Sequence, residues 1–369
     1  MPRREIGVAG AGLIALALLA GARDPDVLSA QGAAASVCGL RTTERVVAVG
    51  DVHGAYDSFV AILKAAGVID ARERWAGGRA VFVQTGDVLD RGADSRKALD
   101  LLRRLERDAA RAGGRVIPLL GNHELMRLLG DWRYVSAGEL SAFRRGDSEE
   151  LREAVYQRAL EAVKARATAG QPFDEVEYRA AFLKEVPLGF LEMRQAFDVK
   201  GDYGPWMRAR PAIAMVNGVA FLHGGVSDTV APLGCDGINA AVTKELAALP
   251  ADPEAVTRLL AAGETGPLWY RGLALEPEDT FAPTLTAILE RLGARAIVIG
   301  HTTVLPGRIA PRFGGRVVQI DTGMLDGTFY PKGVPAALEL RGDAATAIYL
   351  DRREPLPAFA PPAVAPVAR

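Results

Sequence analysis

The sequence predicts an α/β fold, two mixed β-sheets flanked by helices, and three observations predict it. First, the runs Val46–Val49, Ala80–Gln84 and Val116–Leu120 are short, rich in Val or Ile, and run into glycine. Strands of a parallel sheet read this way when both faces are covered. Second, Tyr56–Ala66 and Ser95–Ala112, which lie between these runs, carry helical spacing. Strand, helix, strand, helix, strand is a pair of right-handed crossover units. Third, Ile213–Val216 and Val219–Leu222 are separated by Asn217-Gly218, a hairpin signal. They open a second sheet, expected to be the more antiparallel of the two. The 369 residues can bury a large core, as one domain with an insert or as two. Acidic and basic side chains, 45 against 44, nearly cancel and leave no basic excess of the kind that marks nucleic-acid binders.

In chain order, residues 1–22 read as an export signal. Arg3 and Arg4 precede the apolar run Ile6–Ala20, and small residues follow at Ala20-Gly21-Ala22. The run is short for a membrane span, so export to the periplasm or the exterior is the expectation, with an uncleaved anchor as the alternative and no extensive membrane embedding. Residues 23–43 read as a linker. Residues 136–196 form an insert dense in Glu, Arg and Ala, helical over Glu149–Ala167 and Asp174–Lys184 and broken at Gly170-Gln171-Pro172. It reads as a surface helical subdomain with solvated charges, or as a lid beside the site. Cys235–Leu249, Asp252–Ala262 and Thr280–Gly293 read as helices, the last burying Leu285, Ile288, Leu289 and Leu292. Ala296–Gly300, Arg316–Ile320, Ala337–Leu340 and Ala345–Leu350 read as strands. Residues 352–369 read as a flexible Pro/Ala tail. Cys38 and Cys235 cannot build a thiolate metal cluster, but can pair if the chain is exported.

The chemistry gathers at strand ends. The first three strands close on Gly50-Asp51-Val52-His53-Gly54, on Gly86-Asp87-Val88-Leu89-Asp90-Arg91-Gly92 and on Gly121-Asn122-His123-Glu124. Open α/β sheets place ligands just past the carboxyl ends of their strands. Asp51 and His53 are two apart, so both can turn toward one point. Asp87 adds a carboxylate able to bridge two cations, and Asn122 a neutral oxygen. The chain has four histidines, His53, His123, His223 and His301, and all sit at such ends. Mixed nitrogen and oxygen donors without thiolates suit Mn, Fe or Zn and argue against a sulfur-rich structural zinc site.

On these residues the chain resembles the calcineurin-like metallophosphoesterases, and within them the phosphoprotein phosphatase branch. The matching blocks are GDVHG at 50–54, GDVLDRG at 86–92, GNHE at 121–124, HGG at 223–225 and GH at 300–301, spanning roughly Val46 to Thr322. It is most similar to the bacterial or Shewanella-like phosphatases, through Gly130-Asp131-Trp132-Arg133-Tyr134-Val135, Gly266-Pro267-Leu268-Trp269-Tyr270-Arg271 and Ile320-Asp321-Thr322-Gly323-Met324. The resemblance implies a four-layer sandwich and a catalytic domain over 44–351. It implies two divalent ions, manganese first and iron or zinc as alternatives. Asp51, His53 and Asp87 would hold one; Asp87, Asn122, His223 and His301 the other. A metal-activated hydroxide would attack phosphorus. His123, oriented by Asp90, would protonate the leaving group, while Arg91, Arg271 and Asn122 would bind phosphate. Glu124 reads as orienting ligands, and Asp321 as doing the same or capping its strand. The expected substrates are phosphoproteins or phosphopeptides, on tyrosine or on serine and threonine. The alternatives are small phosphomonoesters, symmetrical dinucleoside polyphosphates, or a non-catalytic metal- or phosphate-binding module.

Overall fold

A computed structural model describes residues 36–166, 173–325, 327 and 329–359. The expected export signal, most of the expected linker, the expected break at Gly170-Gln171-Pro172 and the last ten residues lie outside them. The described residues form two six-stranded sheets. The first contains β2 (Val46–Val49), β3 (Val81–Gln84), β4 (Arg115–Pro118), β10 (Ala336–Arg341), β11 (Ala344–Tyr349) and β12 (Arg353–Leu356), in the order β12-β11-β10-β2-β3-β4. The second contains β1 (Cys38–Leu40), β5 (Ile213–Val216), β6 (Val219–Leu222), β7 (Ala296–Ile299), β8 (Ala310–Arg312) and β9 (Val317–Gln319), in the order β1-β5-β6-β7-β9-β8.

Alternation along each strand builds the layers. Val46 and Ala48 point into an inner cluster shared with Val81 and Val83 of the same sheet and with Phe221 and Val298 of the facing sheet. Their neighbours Val47 and Val49 point the other way, into a cluster with Phe59, Ile62 and Leu63 of the helix Tyr56–Ala65 and Leu99, Leu102 and Leu105 of the helix Ser95–Arg111. Successive strand residues face opposite sides, so a strand buried on both must be apolar throughout. The second sheet repeats the pattern against Ile238 and Val242 of the helix Gly234–Ala247 and Leu285, Ile288, Leu289 and Leu292 of the helix Glu278–Leu292. The result is the expected sequence of helix, sheet, sheet, helix.

Several expectations need correction. The second sheet is not the more antiparallel one: three of its pairings are parallel and two antiparallel, against two and three in the first. The Asn217-Gly218 hairpin is real, with both residues at positive φ. Beyond it the chain returns through helices, which makes β6 and β7 parallel. The antiparallel meander β10–β12 instead extends the first sheet. Cys38–Leu40, inside the stretch expected as linker, pairs with β5, and Arg353–Leu356, inside the expected tail, pairs with β11. Asp252–Ala262 is helical only over Pro253–Val256. Asp252 caps that turn, but the Glu245 carboxylate then accepts from the backbone N–H groups of Leu260 and Ala261, competing with a continued helix. The insert contains the helices Ala137–Ser141, Ser148–Arg166, Glu175–Glu185 and Phe190–Phe197. Its inner faces, including Tyr156, Leu160, Phe182 and Met193, join the main core, and two of its charges are not solvated, since Glu139 and Glu192 are buried. Cys38 and Cys235 form a disulfide across 197 positions.

Candidate metal centre

The parallel strands of both sheets bring their carboxyl ends to one edge. Asp51 and His53 follow β2, Asp87 follows β3, Asn122 follows β4, His223 follows β6 and His301 follows β7. All six side chains are buried. The tips must approach closely, and two glycines permit it. A Cβ at Gly121 would lie 2.3 Å from Asp87 Oδ1, and one at Gly300 would lie 2.4 Å from Asp51 Oδ1. The backbone is also bent into the left-handed region at His53, Asp87, Asp90, Arg91 and His301, with φ of 47°, 55°, 69°, 67° and 64°. For non-glycine residues this costs about 1–2 kcal/mol each. Nine non-glycine residues among those described do this, and five of them belong to this one cluster. Strain concentrated in this way is a mark of functional geometry.

Asp87 is the hub. Its Oδ2 lies 3.6 Å from His53 Nε2, 3.2 Å from His223 Nε2 and 3.8 Å from His123 Nε2. Two donor sets share it: His53, Asp87 and His123, and Asp87, His223 and His301, the donor atoms in each lying within 4.8 Å of one another. Asp51 joins from the side, its Oδ2 3.8 Å from His53 Nε2 and its Oδ1 3.9 Å from His223 Nδ1. It also accepts from the His301 backbone N–H at 3.1 and 3.2 Å, which ties the two sheets together at the site.

The donors fit a pair of cations. His53 Nδ1 is engaged by the Leu89 carbonyl and His223 Nδ1 by the Thr85 carbonyl, both at 2.9 Å, which leaves each Nε2 as a ligand atom. His223 Nε2 then faces Asn122 Oδ1 at 2.8 Å. A lone pair on each atom then faces the same point, and a cation held by both would satisfy the two. His301 Nε2 is buried with no hydrogen-bond partner, an orphan that a metal would satisfy. Burial pushes His53 down to about 3 and His301 down to about 2, so both are held in the neutral, ligating form. Burial pushes Asp51 well up, helped by the neighbouring carboxylates of Asp321 and Asp87. Burial also pushes Asp87 upward, but His223, His123 and His53 outweigh it and hold the group well below the usual range. Carboxylates crowded this closely call for positive charge between them.

The remaining expected residues surround this core. His123 Nδ1 lies 2.7 Å from Asp90 Oδ2. Burial lowers His123, but Asp87 and Asp90 overcome it and raise the imidazole above its ordinary value. Arg91 bonds the Tyr330 hydroxyl and reaches His53 Nε2, with its guanidinium 5.6 Å from the Tyr134 ring centre and 5.5 Å from that of Tyr330. Arg271 is exposed but anchored, donating to the His301 carbonyl at 3.0 Å and the Thr302 hydroxyl at 2.9 Å. Glu124 accepts from the backbone N–H groups of Asp87, Val88, Leu89 and Gly121, which occupies both its oxygens in holding the loop. Asp321 accepts from Thr303 Oγ1 at 2.5 Å and Gly323 N at 3.0 Å.

Sequence reasoning missed Tyr330, Arg127 and Glu139. Arg127 is fully buried and donates to Asp90 Oδ1 at 2.5 Å and Glu139 Oε1 at 2.9 Å. Its position four residues after His123 puts both on one helical face, a signal that was available. Nothing in the local sequence marked Tyr330 or Glu139.

A family profile described as calcineurin-like phosphoesterase matches residues 44–305. An uncharacterised protein of Schizosaccharomyces pombe is 31% identical over 76% of this chain and 73% of its own length. Shewanella-like protein phosphatase 2 of Arabidopsis thaliana is 30% identical over 83% of this chain and 77% of its own. Among solved structures, the cold-active protein-tyrosine phosphatase of a psychrophilic Shewanella species superposes with a TM-score of 0.63 at 27% identity, over 86% of this chain and 81% of that one. No helix among the described residues is long and apolar enough to cross a membrane. The donor geometry and these relatives agree on metal-dependent hydrolysis of phosphomonoesters. The chain therefore belongs to the calcineurin-like phosphoesterases, within their phosphatase branch and related to the Shewanella-like enzymes.

Proposed function

We propose that this enzyme is an exported, manganese-dependent phosphoprotein phosphatase that favours phosphotyrosine and forms no phosphoenzyme. One observation carries the reading: the imidazoles of His53, His123, His223 and His301, delivered by both sheets, converge on Asp87, and the converging His301 Nε2 has no protein partner. Asp51, His53 and Asp87 would hold one ion, and Asp87, Asn122, His223 and His301 the other. When bound, two divalent cations polarise phosphoryl oxygens and bring the pKa of a bound water near neutrality. His123 lies beside the ligands but differs from them in its partner: a carboxylate, Asp90, engages its Nδ1, and the pair favours a held proton, which suits it to donate to a departing alkoxide or phenoxide. Arg91, Arg271 and the Asn122 amide would take non-bridging oxygens, Arg91 with the planar fork that matches a phosphoryl group.

The Tyr134 and Tyr330 rings flank Arg91, so an aryl ester held at Arg91 would have aromatic neighbours, which supports tyrosine over serine and threonine. The similarity to a protein-tyrosine phosphatase of Shewanella supports it as well. The disulfide supports export, since such bonds persist in oxidising compartments. The test is turnover of phosphotyrosine peptide, phosphoserine peptide and dinucleoside tetraphosphate by the chelated enzyme after Mn, Fe or Zn is restored. Fastest turnover of the tyrosine peptide with Mn is expected. Hydrolysis of the dinucleotide alone would overturn the substrate assignment, and no turnover with any metal would favour a binding module.

A further inference from the structure

His123 and Asp90 form a pair, but the pair does not stand alone. Asp90 spends one oxygen on His123 and the other, Oδ1, on Arg127. Arg127 is wholly buried and continues to Glu139, itself buried, on the helix Ala137–Ser141. The same guanidinium donates to Met193 Sδ at 3.3 Å. It lies 5.2 Å from the Trp132 ring centre and 4.9 Å from that of Phe197. Four separate segments thus close on this one side chain, two of them insert helices. A buried arginine must be desolvated at considerable cost, which only good partners offset. Here the partner that matters is the carboxylate that orients the imidazole.

We propose that Arg127, clamped by Glu139 of the insert, is a positioning residue for the proton donor of the reaction: it fixes the Asp90 carboxylate so that Asp90 can fix the His123 ring. The insert is then part of the working site and not only a surface subdomain. Without Arg127 the Asp90 carboxylate is free to turn about its side-chain torsions, and His123 loses its constraint. Neither Arg127 nor Glu139 touches the metal donors, so ion binding is left intact. The inference rests on the reading of His123 as leaving-group acid.

The test compares Arg127→Gln, Arg127→Lys, Glu139→Gln and His123→Ala with the parent enzyme on p-nitrophenyl phosphate and on an alkyl phosphate, with metal content and melting temperature measured alongside. A general acid contributes about 100-fold or more where the leaving group is poor and little where it is good. Arg127→Gln is expected to keep its metal and KM and to lose about 30-fold on the alkyl ester against less than about 5-fold on the aryl ester, a fraction of that contribution. Arg127→Lys should recover part of the loss, and Glu139→Gln should show the same bias more weakly. Equal losses on both esters, or none, would overturn the inference. If Arg127→Gln does not fold, Glu139→Gln decides, because it keeps the shape and removes one charge; absence of bias there counts against the proposal. Bias in His123→Ala without bias in the others would sink the role of Arg127 alone. No bias in His123→Ala would sink the proton-donor reading itself.

Discussion

The metal centre and the helical insert are built by opposite rules. At the centre each side chain is delivered by a short motif at the end of an apolar strand, and its partners are other motif residues. In the insert no motif marks Glu139, the carboxylate that reaches Arg127; it lies in a five-residue helix and is buried by its pairing with Arg127. Apart from the buried Glu192, other insert charges behave as surface charges do, as in the exposed pair Arg179–Glu153. The contrast teaches that function concentrated in local sequence is visible in one dimension, while function carried by a single long-range contact is not.

Substitutions can break or sharpen that contrast. The largest effect is expected from Asp87→Asn, because Asp87 belongs to both donor sets. Metal analysis should show loss of bound ions, and turnover of p-nitrophenyl phosphate should fall by about 1,000-fold or more, on the scale set by metal-ion catalysis. Arg91→Ala should keep its metal and lower kcat/KM by about 100-fold, the range for removing a group that stabilises developing charge. Chelation should lower the melting temperature by several degrees, because ions that bind only the folded state stabilise it by mass action. This shift, read by calorimetry, should vanish in Asp87→Asn. At the small end, Glu153→Ala should leave both melting temperature and turnover unchanged, since an exposed ion pair is screened by solvent. A large loss there would mean that the insert's outer face also serves the reaction.

The parts of the molecule that could be read in advance share a physical reason. Strands buried on both faces are apolar throughout, so β2, β3, β6 and β7 could be located to within a residue or so. The buried stripe of the helix Glu278–Leu292 was legible from its spacing, and Asn217-Gly218 from the positive φ its turn requires. Edge strands have no such signature. Cys38–Leu40 has three residues and Arg353–Leu356 contains a proline, and each is a strand because a partner lies beside it. At the site, the histidines announce themselves because the chain has four and all lie there, and the aspartates because glycines flank them at strand ends. Arginines are common in this sequence, so Arg127 did not stand out. Its importance comes from the desolvated setting and the company it keeps.

One consequence follows from the way the centre straddles the sandwich. The strands β2, β3 and β4 lie in one sheet and β6 and β7 in the other, so the ions would act as rivets through both halves. Sliding one half by a single residue, roughly 3.3 Å, exceeds the whole length of a coordination bond. The inner apolar face between the sheets therefore does more than exclude water: its interlocking side chains are the jig that holds the two halves in alignment for chemistry performed at their rim.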